Sequence, residues 1–246
     1  MSVNTVDINN IGEKLGDRLT KTMNLEAKNP WRNFEASDQM VHENDRASVE
    51  SHNSKVEPKY RFLLQLAPEP WIGSIDAPII ILYANPGATP ANFLGEKEPN
   101  RKILELSLQN LRQEFSEFPH FFFNPTLKSE PGGRWFRKRF RELIEATSLE
   151  RVAQSIATVE AAPYHSVNWK SPKTPIPTQE FTNDIVRNAI AKGALILRAR
   201  HVKGWVKAVP ELSQYANVIY PSSAQCAYVS ANNYKGTFER IVEAIR

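Results

Sequence analysis

The sequence predicts an α/β fold, a three-layer α/β/α sandwich around a central, mostly parallel, four-stranded sheet. Short apolar runs bounded by turn residues alternate with segments of helical period, which is the pattern of strands crossing to helices and back. The runs are apolar on both faces, as strands covered by helices on each side are. A chain of 246 residues with 41% apolar and 24% charged residues is ample for one sizeable core.

Ile11, Leu15, Leu19 and Met23 recur every four residues and predict an amphipathic N-terminal helix. Residues 31–59 show no period and many polar side chains, and read as a long loop. The chain thus divides into an extension over residues 1–59 and an α/β domain over residues 60–246. The first strand, "PIIILYA" at 78–84, leads to a helix carrying Ile103, Leu104, Leu108 and Leu111. The loop "HFFFNPTLKSEPGGRWF" follows, then a helix with Phe136, Phe140, Leu143 and Ile144 at helical spacing.

A second strand, "SIATVEAAPY", ends at Pro163. Thr178 is placed to cap the helix "QEFTNDIVRNAIAK", and Gly193 to close it before a third strand, "ALILRAR". A fourth strand, "ANVIY", runs into "PSSAQCAYVSANNYKG", and a last helix carries Phe238, Ile241, Val242 and Ile245.

Composition narrows the function classes. A formal charge of +4 leans toward a polyanionic partner without requiring one. Cys226 is the only cysteine, so an internal disulfide and a cysteine-ligated zinc or iron–sulfur centre are excluded, and a reducing, cytoplasmic setting is expected. No apolar run approaches the roughly 20 residues of a membrane span, and "MSVNTVDINNIGEKLG" lacks the apolar core of a secretory signal. No Gly-rich dinucleotide or P-loop motif is present. The expectation is a monomer that uses no cofactor or metal and enters no membrane.

In a parallel sheet all carboxyl ends of the strands open on one edge, where ligands bind. Here that edge gathers Asn85-Pro86-Gly87, Glu160 with Pro163-Tyr164-His165, and Tyr220-Pro221-Ser222-Ser223. Prolines hold such a rim in a fixed path. This order of loops, an "NPG" after the first strand, an aromatic loop, a polar strand end before proline and a "PSS" after the last strand, resembles the uracil-DNA glycosylase-like superfamily. Its Asn-Pro-Gly version is similar to the mismatch-specific and single-strand-selective branches, and "PEPWIGSIDAPIIILYANPG" resembles bacterial proteins placed there.

The resemblance covers residues 60–246 and implies a monofunctional DNA glycosylase, with DNA as its partner. Such an enzyme flips a nucleotide out of the helix and hydrolyses the bond between base and sugar. On this resemblance Asn85 holds the attacking water, and Tyr220 hydrogen-bonds the departing base. Ser222, Ser223, Pro86, Gly87 and Gln225 are expected to contact the DNA backbone, as is Arg134 in "RWFRKRFR", which mixes cations and aromatics as DNA-binding surfaces do. Phe123, Asn124, Tyr83 and His165 bind the base.

Related enzymes often carry an Asn before x-Cys-Pro where this chain has Glu160 before Ala161-Ala162-Pro163. An ionised Glu offers acceptors alone, which suits the exocyclic amine of cytosine better than O4 of uracil. The superfamily includes antiviral members that excise glucosylated hydroxymethylcytosine, so a cytosine derivative or uracil is the expected base. Glu160 either faces the pocket, pairs with a neighbouring arginine or lies one pleat off the site. Ala224 stands where a bulky wedge is usual, and Gln225 or Tyr228 are the alternatives. Two other readings stay open: a catalytically weak DNA-binding protein on this scaffold, and a hydrolase of free nucleosides or nucleotides.

Overall fold

The structure is a computed structural model, and it describes residues 24–88, 101–223 and 228–245. The helix expected at Ile11 to Met23, together with Ala224 and Gln225, lies outside the described residues.

The centre is a five-stranded mixed sheet in the order β1-β3-β2-β4-β5. The strands are β1 (Trp71–Ile72), β2 (Ile79–Tyr83), β3 (Ile156–Glu160), β4 (Leu195–Arg198) and β5 (Val218–Ile219). The four predicted strands are β2 to β5, and all of them run parallel. The expected count of four misses β1, which pairs antiparallel with β3 through Trp71↔Val159 and Ile72↔Thr158. Two residues between Pro70 and Gly73 are too short to show a period.

The helices are α1 (Leu25–Lys28), α2 (Arg46–Asn53), α3 (Arg101–Arg112), α4 (Pro131–Arg139), α5 (Arg141–Ala146), α6 (Leu149–Ser155), α7 (Gln179–Ala191), α8 (Val202–Ala208) and α9 (Phe238–Glu243). Successive strand side chains point to opposite faces, and each face has its own core. Ile80 and Leu82 of β2, Val159 of β3 and Ile196 of β4 pack with Phe181, Ile185 and Val186 of α7 and Trp205 of α8. Ile79 and Ile81, with Ile156 and Leu197, pack instead with Phe136 of α4, Leu143 of α5, Val152 of α6 and Ile241 of α9.

On the outer side of β1, Asn110 of α3 takes the place of another strand. Its Oδ1 accepts from Gly73 N at 2.8 Å and its Nδ2 donates to the Trp71 carbonyl at 2.7 Å. The next amide, Gln113, accepts from Ile75 N at 2.9 Å.

Residues 31–59 are not the polar loop that their sequence suggests. They contain α2, and they bury Trp31, Val41 and Val49 in the same core as α7. These apolar anchors are too sparse to make a period. Much of the remaining docking is polar, through the buried Asp45, Ser48 and His52.

Thr178 does precede α7, but its side chain makes no cap bond and its hydroxyl donates to Asp45 Oδ2 at 2.6 Å. Gly193 closes α7 as expected. Its φ of +77° lets Ala194 N reach back to Ala189 O at 2.9 Å, a turn that a residue with a Cβ adopts only with strain.

Candidate active site at the carboxyl ends of the parallel strands

The chain steps from β2 to β3 on one side, then crosses to β4 on the other. The crevice between the ends of β2 and β4 is therefore the switch point of the sheet, where ligands of open α/β folds bind. Trp205 Nε1 donates to the Tyr83 carbonyl at 2.7 Å and Arg200 N to the Leu82 carbonyl at 3.1 Å, which fixes the path by which β2 delivers Asn85.

Asn85 is held by its amide nitrogen. Nδ2 donates to the carbonyls of Pro86 and Tyr164, each at 3.1 Å, and to Ser166 Oγ at 2.8 Å. A carbonyl accepts only, so the atom facing these two oxygens is the nitrogen and the amide has one orientation. Oδ1 is left as an acceptor with no partner among the described residues. Ser166 is buried and donates in turn to the Asn168 carbonyl at 2.9 Å, which commits its oxygen to accepting from Asn85.

The two loops are also joined along their backbones. Ser166 N donates to Pro86 O at 3.3 Å and Ala88 N to Ser166 O at 3.1 Å. Ser166 was not foreseen, because a serine three residues after a proline carries no distinguishing signal.

His165 braces these loops. Its Nδ1 meets the Gly87 carbonyl at 3.0 Å and its Nε2 the Ala67 carbonyl at 3.1 Å, with Glu69 Oε2 3.7 Å from Nε2. Each ring nitrogen thus faces a backbone carbonyl oxygen. Both nitrogens are thus engaged with backbone and neither is free for a base. Pro86 is buried and Gly87 exposed, and a Cβ on Gly87 meets no atom of the described residues within 4 Å.

Tyr83 and Glu160 are register partners on β2 and β3. Both therefore project on the face of Ile79, Ile81 and Ile156, so Glu160 is not one pleat away from Tyr83. Tyr83 Oη and Glu160 Oε2 are both enclosed and lack hydrogen-bond partners among the described residues. Glu160 as a residue keeps partial exposure even though this oxygen has none. Trp135 packs edge-on to Tyr83 at 6.1 Å and stacks against the Arg139 guanidinium at 4.2 Å.

Burial, first, and the charge of Glu69, second, hold the Glu160 carboxyl well above the usual range, against the opposing pull of Arg200. Burial likewise raises Glu69, with His165 opposing. The Tyr83 hydroxyl is raised by burial, then by Tyr234 and Glu160, and stays neutral. An acceptor-only Glu160 presumes an ionised carboxylate, and these surroundings favour the neutral acid.

Tyr220 is 54% exposed, and its hydroxyl oxygen accepts from the Arg198 guanidinium, which also lies 4.9 Å from the ring centre. Ser222 and Ser223 are exposed, and their backbone N–H groups donate to Asn233 O at 2.6 Å and Oδ1 at 3.0 Å. Gln225 lies outside the described residues.

Two expected site residues have structural roles instead. Phe123 is 0% exposed, packed against His120, Phe136 and Phe140, and cannot stack on a base. Burial pushes the neighbouring His120 down to about 3, so it belongs to this core as a neutral ring. Asn124 caps the next turn, its Oδ1 accepting from Thr126 N at 3.0 Å and Oγ1 at 2.8 Å. Arg134 is exposed and donates to the Ser129 carbonyl.

A cleft of about 470 Å³ opens at the opposite edge, between Asp76, Lys192, Asn217 and Arg240. Its Asp76 and Lys192 neutralise each other, and no strand carboxyl end reaches it. Among the described residues no three His, Cys, Asp or Glu side chains group to hold a metal, and no helix is long and apolar enough to cross a membrane. Comparisons with protein-family models, curated proteins and solved structures found no match.

Proposed function

We propose that the protein is a DNA glycosylase of the uracil-DNA glycosylase-like kind, a three-layer α/β/α enzyme that hydrolyses the N-glycosidic bond of an extruded pyrimidine. The observation that carries this reading is the anchored amide of Asn85, which follows β2 at the switch point of the sheet and whose Oδ1 has no partner among the described residues. An amide oxygen is too weak a base to ionise water. It orients a water well when the bond between base and sugar is nearly broken and the sugar is oxocarbenium-like.

The bond electrons leave with the base, the water oxygen bonds to the sugar carbon, the proton that water loses balances the one the base anion takes up, and an abasic site remains. Tyr220 fits the departing base. Because its oxygen already accepts from Arg198, its own O–H is left to donate to the developing anion. Ser222 and Ser223 stand in the same loop to meet phosphate. The base is a modified or damaged pyrimidine, a cytosine derivative or uracil, and the enzyme acts as a monomer in the reducing cytoplasm.

The test is base release from DNAs carrying uracil, cytosine, hydroxymethylcytosine and glucosylated hydroxymethylcytosine. Free base and an abasic strand from any of them support the reading. Salt-sensitive DNA binding with no release supports a non-catalytic binder instead.

Gly87 supplies a second measurement. Its Cβ position is open among the described residues, so Gly87→Ala is expected to leave unfolding free energy within about 0.5 kcal/mol of wild type. A DNA backbone lying against that exposed surface meets the added methyl, so DNA affinity falls while the melting temperature holds. Equal affinity for both proteins removes Gly87 from the interface.

A further inference from the structure

At the carboxyl end of β2 and β3, two enclosed polar atoms stand side by side without protein partners among the described residues: Tyr83 Oη and Glu160 Oε2. Buried polar groups left unpaired cost stability, and adjacent ones on a sheet edge indicate a ligand that pairs with them. Glu160 N donates to Pro70 O at 2.9 Å, which brings the buried Glu69 alongside the end of β3.

We propose that Glu160 reads the base as a neutral carboxylic acid, presenting an O–H donor and a C=O acceptor together as an amide does, with Tyr83 as an adjoining donor. This rests on the glycosylase reading and specifies the class of base: a pyrimidine with a donor and an acceptor next to each other on its pairing edge. Against uracil, the acid O–H donates to O4 and its C=O accepts from N3–H. Against cytosine or a 5-substituted cytosine, the O–H donates to N3 and the C=O accepts from the N4 amine. An ionised Glu160 accepts from one group and faces the lone pair of the other.

The charged and titratable groups around Glu160 come from every neighbouring strand. Glu69 precedes β1, Tyr83 ends β2, His165 follows β3 and Arg200 follows β4. Glu69 and the enclosure favour the protonated form of Glu160, and Arg200 disfavours it. His165 acts on Glu69. Discrimination between cytosine and uracil edges therefore falls to Tyr83 and to whatever surrounds the 5-position, and not to the charge of Glu160.

The experiment pairs a spectroscopic readout with an enzymatic one on the full chain. Infrared difference spectra across a pH titration follow the C=O stretch of a protonated carboxyl in wild type, Glu160→Gln and Glu69→Gln, and base release is measured over the same range. The expected result is a protonated-carboxyl band at neutral pH in wild type, absent in Glu160→Gln and shifted to lower pH in Glu69→Gln. Wild-type release falls as pH rises through the loss of that band. Glu160→Gln, a permanent amide, keeps release within about tenfold of wild type and loses that alkaline limb.

No band at neutral pH overturns the inference while leaving the glycosylase reading intact wherever base release is seen. A Glu160→Gln protein with wild-type melting temperature that loses about a hundredfold or more in release also overturns it, since a two-point contact is worth about that much. A band assigned to Glu160 with no release from any DNA supports the neutral acid and overturns the glycosylase reading.

Discussion

On the proposed glycosylase reading, Asn85→Ala is expected to fold and to release base about a hundred to a thousand times more slowly than wild type, the range found when one preorganised polar group at a reacting centre is removed. The single-turnover rate is the quantity that reports it, because it isolates the hydrolytic step from DNA binding. The loss comes from Oδ1, the acceptor that has no partner among the described residues, and DNA affinity should change little.

The same change removes the donor to Tyr164 O, Pro86 O and Ser166 Oγ, so stability drops by about 1–2 kcal/mol. Asn85→Asp separates the two effects. It keeps an oxygen for water but turns a second oxygen toward two carbonyls, so it should unfold more readily than Asn85→Ala. Unchanged single-turnover release in Asn85→Ala would remove Asn85 from the chemistry.

Asp45→Ala carries the largest expected cost in stability, about 3–5 kcal/mol, because it leaves three enclosed hydrogen-bond donors without their acceptor. Asp45 is 0% exposed. It accepts from Tyr164 Oη at 2.7 Å, from Thr178 N at 2.9 Å and from Thr178 Oγ1 at 2.6 Å. All three donors are left without an acceptor in the alanine protein.

Urea unfolding of Asp45→Ala and Asp45→Asn provides the check. The asparagine protein should lie between wild type and alanine, since it keeps one acceptor and places an N–H against a donor. Tyr164 also supplies the carbonyl that anchors Asn85. Base release by the surviving folded Asp45→Ala fraction should therefore fall as well, linking residues 24–59 to the candidate site. A midpoint equal to wild type would mean that this carboxylate is dispensable for docking the segment.

The parallel strands were legible because each is an apolar run closed by Pro, Gly or polar residues, as in "PIIILYANPG". β1 was not, since the two residues Trp71–Ile72 are too few for an alternation to recur. The helical segment in residues 31–59 was missed for a related reason. α2 buries a single aliphatic side chain, Val49, beside Ser48 and His52, so its inward face reads as polar. Asn85, Tyr83 and Glu160 were identifiable as residues at strand ends, but the anchoring of Asn85 by Ser166 and Tyr164 crosses 79 to 81 residues of chain. Phe123 and its neighbours illustrate the reverse difficulty: three adjacent phenylalanines look available to a ligand until the packing shows all of them buried.

The amides that α3 lays along β1 have a consequence for how copies of this protein behave toward one another. An outermost strand normally presents a row of open N–H and C=O groups on which a second molecule can add its own strand, the first step toward fibrils and precipitates. Here Gly73 N and Trp71 O are already occupied by Asn110, and Ile75 N by Gln113. That margin of the sheet is closed to templated growth, and crowding in concentrated solution finds no foothold there.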